Sequence, residues 1–173
     1  MNNIAYLIPA LGAIGLIAMA IKSAWVTKQD AGEAKMQELA GYIAKGAMAF
    51  LRAEWKILAY FAVIAAILLG WSGTQVEESH PLIAVSFLLG AVLSAFAGFV
   101  GMRIATKANV RTTQAARKSL ATALKVSFTG GSVMGIGVAG IAVLGLGSLF
   151  IILFHIFVPE GSAMNGLEMK RAI

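Results

Sequence analysis

The sequence predicts an all-α, multi-span transmembrane helix bundle with four spans, a cytoplasmic helical extension of the second span, and both termini outside. Of the 173 residues, 59% are hydrophobic and 13% are charged, whereas soluble domains are typically about 45–50% apolar and about 25% charged. Between Met102 and Phe128, six residues are basic and none is acidic. A short basic stretch between two membrane-length apolar runs is expected to lie on the cytoplasmic side.

The first predicted span covers residues 4–21, with Pro9 near its start, where a helix tolerates proline best. A secretory signal peptide is the alternative, because Ala18-Met19-Ala20 resembles a cleavage site. However, no lysine or arginine precedes the run, and the run is long for the apolar core of a signal peptide. These observations favour a retained helix.

The second span is predicted over residues 50–71, although its apolar core from residue 57 is short for a crossing of about 20 residues. Arg52, Glu54 and Lys56 are expected to reach back to the lipid headgroups. The third span covers residues 82–102 without interruption. The fourth covers residues 133–158, and its length requires it to tilt or protrude. We treat residues 1–173 as a single membrane domain.

The loops decide the predicted orientation. Residues 22–49 and 103–132 form the two basic cytoplasmic loops, whereas the connection at residues 72–80 carries Glu77 and Glu78 and no lysine or arginine. Within the first loop, residues 28–54 predict a helix that Asp30 caps and that runs into the second span. Basic residues in the second loop have helical spacing, but Asn109 and the pair Thr112-Thr113 are expected to interrupt a helix there.

Charge and composition also exclude several function classes. The net charge of +6 lies beside apolar spans, so a lipid bilayer rather than nucleic acid is the expected partner. Cysteine is absent, which excludes disulfides, thiolate metal sites and cysteine nucleophiles. No P-loop, HExxH motif or Ser/His/Asp set is present. The sequence therefore predicts no catalytic, cofactor-binding or metal-ligating residue in this chain.

Two smaller features have competing interpretations. Residues 135–140 match the pattern GxGxxG, but they lie inside an apolar span and lack the strand that dinucleotide binding requires. Gly131, Gly135, Gly140 and Gly145 are better explained as small residues that let another helix approach. His155, near the outer end of the fourth span, is expected to be an interfacial residue, with a proton relay as the alternative.

Two further interpretations concern single residues outside the spans. His80 precedes Pro81 and is interpreted as a turn residue. An enzyme built on Glu33, Glu38 and Glu54 is disfavoured, because Glu38 and Glu54 would lie about 24 Å apart along a helix.

Three stretches are more specific. Residues 43–56 read IAKGAMAFLRAEWK, residues 101–117 read GMRIATKANVRTTQAAR, and residues 127–135 read SFTGGSVMG. Together they resemble the amino-terminal part of the membrane-bound, ion-pumping inorganic pyrophosphatases, over essentially the whole chain. The resemblance implies a magnesium-dependent, homodimeric enzyme that couples pyrophosphate hydrolysis to proton or sodium transport, in a bacterial cytoplasmic membrane.

The resemblance also implies that this chain alone is inactive. The catalytic carboxylates and lysines of the family come from helices after the fourth, including an Asp-Val-Gly-Ala-Asp-Leu-Val-Gly-Lys run, and the sequence ends before such a run. Asp30 is the only aspartate, so no catalytic residue of the family can be carried onto any position here. Mg²⁺ is expected to bind the full-length enzyme and not this chain. The alternative hypothesis is a complete small four-span scaffold or oligomeric pore subunit.

Overall fold

The structure, a computed structural model, describes residues 3–76 and 79–157. A single 3₁₀ turn, Asn3–Tyr6, precedes four helices: α1 (Leu7–Thr27), α2 (Ala34–Gln75), α3 (Leu82–Ala116) and α4 (Leu120–Phe157). Each helix is long and apolar enough to cross a membrane. The predicted all-α, multi-span fold is confirmed. Glu77, Glu78 and the last residue of the predicted fourth span, Val158, lie outside the described residues.

Helix α1 is longer than the predicted first span, since it continues from residue 21 to Thr27. Pro9 is its third residue, so the missing N–H of proline falls among those that have no acceptor within the helix. The last turn carries Trp25, which packs partly buried against residues of α3 and α4.

Helix α2 is one continuous element of 42 residues, about 63 Å long at 1.5 Å per residue. The hydrocarbon core is about 30 Å thick, so about half of α2 extends beyond it, as predicted. The helix begins at Ala34, and the expected cap by Asp30 is wrong. Asp30 instead accepts a hydrogen bond from the N–H of Gly32 at 2.9 Å, in a turn where Gly32 has a φ of +80°.

The expected interruption of the helix at Asn109 and Thr112-Thr113 is also wrong. Helix α3 continues to Ala116, and only residues 117–119 separate it from α4. The hydroxyl of Thr113 donates to the carbonyl of Asn109 at 3.1 Å. Because this bond is made back to the preceding turn, the hydroxyl has a partner inside the helix and does not end it.

The four helices are arranged side by side in the spatial order α1, α4, α3, α2. Helix α4 packs extensively against both α1 and α3, while α1 has only a small contact with α3. Within the described residues, α2 packs against α3 alone. The end of α2 lies close to the backbone that precedes α3, since a Cβ on Gly73 would lie 2.9 Å from the backbone of His80. The four helices therefore form a single layer.

Candidate functional site

The two basic segments of the sequence meet at one end of the bundle. This end, called the basic end below, contains the end of α1, the first half of α2, the end of α3 and the start of α4. Polar side chains from the α1–α2 loop, from the end of α3 and from the α3–α4 turn form a network there. Its members, called the clasp below, are Asp30, Glu33, Arg111, Gln114 and Arg117.

The clasp attaches α3 to the end of α1. The Arg111 guanidinium donates to the carbonyl of Thr27 at 3.1 Å and to the carbonyl of Lys107 at 2.9 Å. Thr27 is the last residue of α1, so its carbonyl has no partner within its own helix. A cation at this position also interacts favourably with the negative end of the helix dipole.

The clasp also holds the loop between α1 and α2. The Gln114 amide donates to Asp30 Oδ2 at 2.9 Å, and Arg117 forms a salt bridge with Glu33. The N–H of Gly32 holds the pKa of Asp30 below its ordinary value, and the Gln114 amide lowers this pKa further. Both donors bind the charged carboxylate and favour it. Asp30 therefore remains an anion at neutral pH.

Sequence reasoning did not identify this network. The sequence predicts a helix cap at Asp30 and a cytoplasmic loop for the basic residues. The helical spacing of Arg111, Gln114 and Arg117 was the available signal, since residues three apart share one face of a helix. That signal has meaning only when α3 continues past Thr113.

The acidic side chains of the described residues do not fit a magnesium site. Asp30 and Glu33 are engaged in the clasp, and Glu38 binds the Lys35 ammonium at 3.1 Å. Glu54 lines a groove of about 620 Å³ between α2 and α3 whose other walls are mostly apolar. Residues 3–76 and 79–157 contain no group of three or more His, Asp or Glu that could hold a metal. Several carboxylates would be needed for magnesium pyrophosphate.

The histidines lie at the opposite end from the basic end. His155 is exposed, and its ring Nδ1 hydrogen-bonds to the carbonyl of Ile151 at 2.8 Å. The Tyr6 hydroxyl lies 3.5 Å from its Nε2. The ring of His80 accepts a hydrogen bond from the N–H of Leu82 at 3.2 Å. His80 is therefore part of the turn that begins α3, as predicted.

Glycines of α4 form the contact with α1 and α3. A Cβ on Gly140 would lie 3.1 Å from the carbonyl oxygen of Gly12, and a Cβ on Gly145 would lie 2.2 Å from Leu93. The packing role is confirmed for these two residues. For Gly131 and Gly135 it stays a prediction, because a Cβ at either position meets no atom within 4 Å in the described part of the chain.

Comparison with known proteins decides the family. A model of the inorganic H⁺ pyrophosphatase family matches residues 13–170. The chain belongs to this family. A putative K⁺-stimulated pyrophosphate-energized sodium pump of Clostridium tetani is 47% identical over 128 residues, which cover 72% of this chain and 18% of that protein. The chain is thus a multi-pass membrane protein of the inorganic H⁺ pyrophosphatase family.

Two other relatives support this assignment. A K⁺-stimulated pyrophosphate-energized sodium pump of Thermotoga maritima is 45% identical over 149 residues, covering 85% of this chain and 19% of that protein. A K⁺-insensitive pyrophosphate-energized proton pump of Moorella thermoacetica is 40% identical over 144 residues, covering 83% of this chain and 20% of that protein. The chain therefore spans about a fifth of the length of these H⁺ pyrophosphatase relatives.

Proposed function

We propose that this chain is the amino-terminal part of a membrane pyrophosphatase that couples pyrophosphate hydrolysis to proton or sodium transport. In this proposal its four helices are an outer scaffold, and the remaining helices of the enzyme supply the reaction centre and the residues that hold Mg²⁺. The full-length form is a homodimer in a bacterial cytoplasmic membrane. The match to the family over residues 13–170 carries the proposal.

The chemistry of the described residues supports a scaffold role. Hydrolysis of pyrophosphate needs carboxylates that share metal ions and cations that bind the phosphate oxygens. Here the acids at the basic end are held by partners of this chain, as in the contacts of Asp30 with Gln114 and of Glu33 with Arg117. The side-by-side arrangement of the four helices is that expected of one side of a larger bundle.

The positions of the basic residues support an inside location for the basic end. Lysine and arginine concentrate beside the spans on the cytoplasmic side of membranes. The α1–α2 loop and the α3–α4 turn both lie at the basic end, so one orientation satisfies both. Pyrophosphate from the cytoplasm would therefore approach the end that carries the clasp.

A chimeric enzyme tests this function. The first four helices of the Thermotoga maritima relative are replaced by residues 1–173, and the chimera is reconstituted in sealed vesicles. We expect phosphate release from magnesium pyrophosphate and pyrophosphate-dependent ion uptake. Residues 1–173 alone, in the same vesicles, are the control and should release no phosphate above the rate of empty vesicles.

Two results would contradict the proposal. A chimera that inserts and forms its dimer but hydrolyses no pyrophosphate would show that these helices do not fulfil the scaffold role. Phosphate release by residues 1–173 alone would show that the reaction centre lies within this chain.

A further inference from the structure

A small cavity lies at the basic end between the last turn of α1 and the first turns of α4. Its volume is about 330 Å³, and its walls are Trp25, Gln29, Ala121, Thr122, Lys125 and Val126. Pockets for small molecules usually measure about 300–1,000 Å³. The cavity is therefore large enough for a single polar headgroup.

The walls of the cavity present donors for an anion. The Lys125 ammonium lies 5.6 Å from the centre of the Trp25 indole ring. The Ser119 hydroxyl accepts the N–H of Thr122 at 3.2 Å and caps the start of α4. The N–H of Ala121, a wall residue, and that of Leu120 beside it have no acceptor within the described part of the chain. An ammonium and free N–H groups at a helix N-terminus together favour a negatively charged ligand.

Among the residues that the structure describes, no acidic side chain lines the cavity. Among residues 3–76 and 79–157, the salt bridges involve Lys35 and Arg117, and Lys125 is in none of them. Lys22 lies three residues before Trp25, so it adds a second cation one turn away along α1. The local field is therefore positive, and an anion that neutralises it would come from outside the described residues.

The order of residues along α1 indicates that this anion is carried by a lipid. Ile14 and Ile21 are 61% and 66% exposed, and helical spacing places them on the same side of α1 as Trp25. Gln29 follows one turn beyond the indole. Apolar side chains, then an indole and then the Gln29 amide reproduce the change in polarity across a membrane interface. A free phosphate ion would gain nothing from the exposed isoleucines.

We propose that this cavity binds the phosphate headgroup of an anionic phospholipid, whose acyl chains lie along Ile21 and Ile14. Lys125 and the N-terminus of α4 bind the phosphate oxygens, while Trp25 forms the wall at the depth of the headgroups. Basic cavities between membrane helices are suited to such headgroups. The proposal concerns this chain's own surface and does not depend on the reaction that the full-length enzyme catalyses.

Quenching of Trp25 fluorescence by brominated lipids tests the site. Trp55→Phe and Trp71→Phe leave Trp25 as the single emitter, since the chain has three tryptophans. Vesicles contain phosphatidylcholine and phosphatidylglycerol, with bromine near the headgroup end of one lipid at a time. A lysine near the surface contributes about 1 kcal/mol to binding of anionic lipid, so we expect about a fivefold preference for phosphatidylglycerol next to Trp25.

Two variants show whether the preference comes from the cavity. Lys125→Gln should remove most of the preference, whereas Lys45→Gln, which removes the same charge from the exposed surface of α2, should retain it. An equal loss in both variants would mean that the overall charge attracts the lipid, and it would overturn the proposal.

Three further outcomes would also overturn the proposal. Equal quenching by both lipids would show that Trp25 contacts lipid without selecting its charge. Absence of quenching by either lipid would show that protein, either a second copy or another segment, covers the cavity. Loss of the preference on adding inorganic phosphate, at an ionic strength where chloride has no effect, would identify a site for free phosphate.

Discussion

Asp30 is the single aspartate of the chain, and its carboxylate joins the loop after α1 to the end of α3. The carboxylate accepts hydrogen bonds from Gly32 and Gln114. Its residue type suggested a helix cap, and the sequence alone could not correct this. The alternative partner, Gln114, is 84 residues away, and it comes within reach only through the packing of α3 beside α1.

The ionisation of Asp30 contributes to the stability of the folded chain. Its pKa is lowered in the folded chain, so it contributes stability that is present above the unfolded value of about 3.9 and is lost as pH falls through the lower folded value. We expect Gln114→Ala to raise this pKa, because the substitution removes a donor to the charged form. Gln75→Ala, at the other end of α2, is the control and should leave it unchanged.

Carbon-13 labelling of aspartate gives one carboxyl resonance, because Asp30 is the only residue of its type. Titration of this resonance by NMR measures the pKa in the parent chain and in both variants. An unchanged pKa in Gln114→Ala would show that the amide does not bind the carboxylate in solution.

At the scale of helices, α1 and α4 meet through glycine. A Cβ on Gly12 would lie 2.5 Å from the backbone nitrogen of Leu144, and backbone atoms cannot move aside as a flexible side chain can. The abundance of glycine in α4 predicted close packing, and Gly140 and Gly145 confirm it. Helical spacing places Gly135 and Gly140 on different sides of α4, but the sequence does not indicate which side faces a neighbouring helix.

Two alanine substitutions separate these positions. Gly12→Ala places a methyl group against the α4 backbone and should lower the free energy of unfolding by about 1–3 kcal/mol. Gly135→Ala adds the same methyl group where no atom of the described residues lies within 4 Å, and it should raise the free energy of unfolding by about 0.5–1 kcal/mol through helix propensity.

Loss of helical circular dichroism during titration with a denaturing detergent measures both free energies. Similar destabilisation by the two substitutions would show that α1 and α4 do not approach each other at Gly12.

Helices α3 and α4 were the elements predicted best as membrane spans, because their prediction needs only the length of an apolar run. The apolar length of α3 and α4 predicts a membrane helix whatever surrounds it. The boundary between α3 and α4 was misplaced because Thr113 has two possible hydrogen-bonding roles. Its hydroxyl either ends a helix or bonds back to the preceding turn, and only the folded chain selects the second.

At the scale of the whole molecule, the charges at the basic end orient the bundle in the proposed function. We expect a cysteine at Thr113 to react with a membrane-impermeant maleimide only after vesicles with native orientation are opened. A cysteine at Thr74, at the far end of α2, should react in sealed vesicles. Both positions are exposed, and the chain has no cysteine of its own, so each variant carries one reactive thiol.

Reaction at Thr113→Cys from outside sealed vesicles, with protection at Thr74→Cys, would reverse the proposed orientation. Reaction at both positions in sealed vesicles would show that α2 and α3 do not cross the bilayer as a pair.

The spatial order of the helices has a consequence for synthesis at the ribosome. Helix α1 is made first, but its main partner is α4, which begins at Leu120. At about 5–20 residues per second, the roughly 90 residues between them take several seconds or more to emerge. During that interval the surface of α1 that carries Gly12 and Gly15 is not covered by α4. The translocation machinery or the surrounding lipid must contact this surface until α4 has been synthesised.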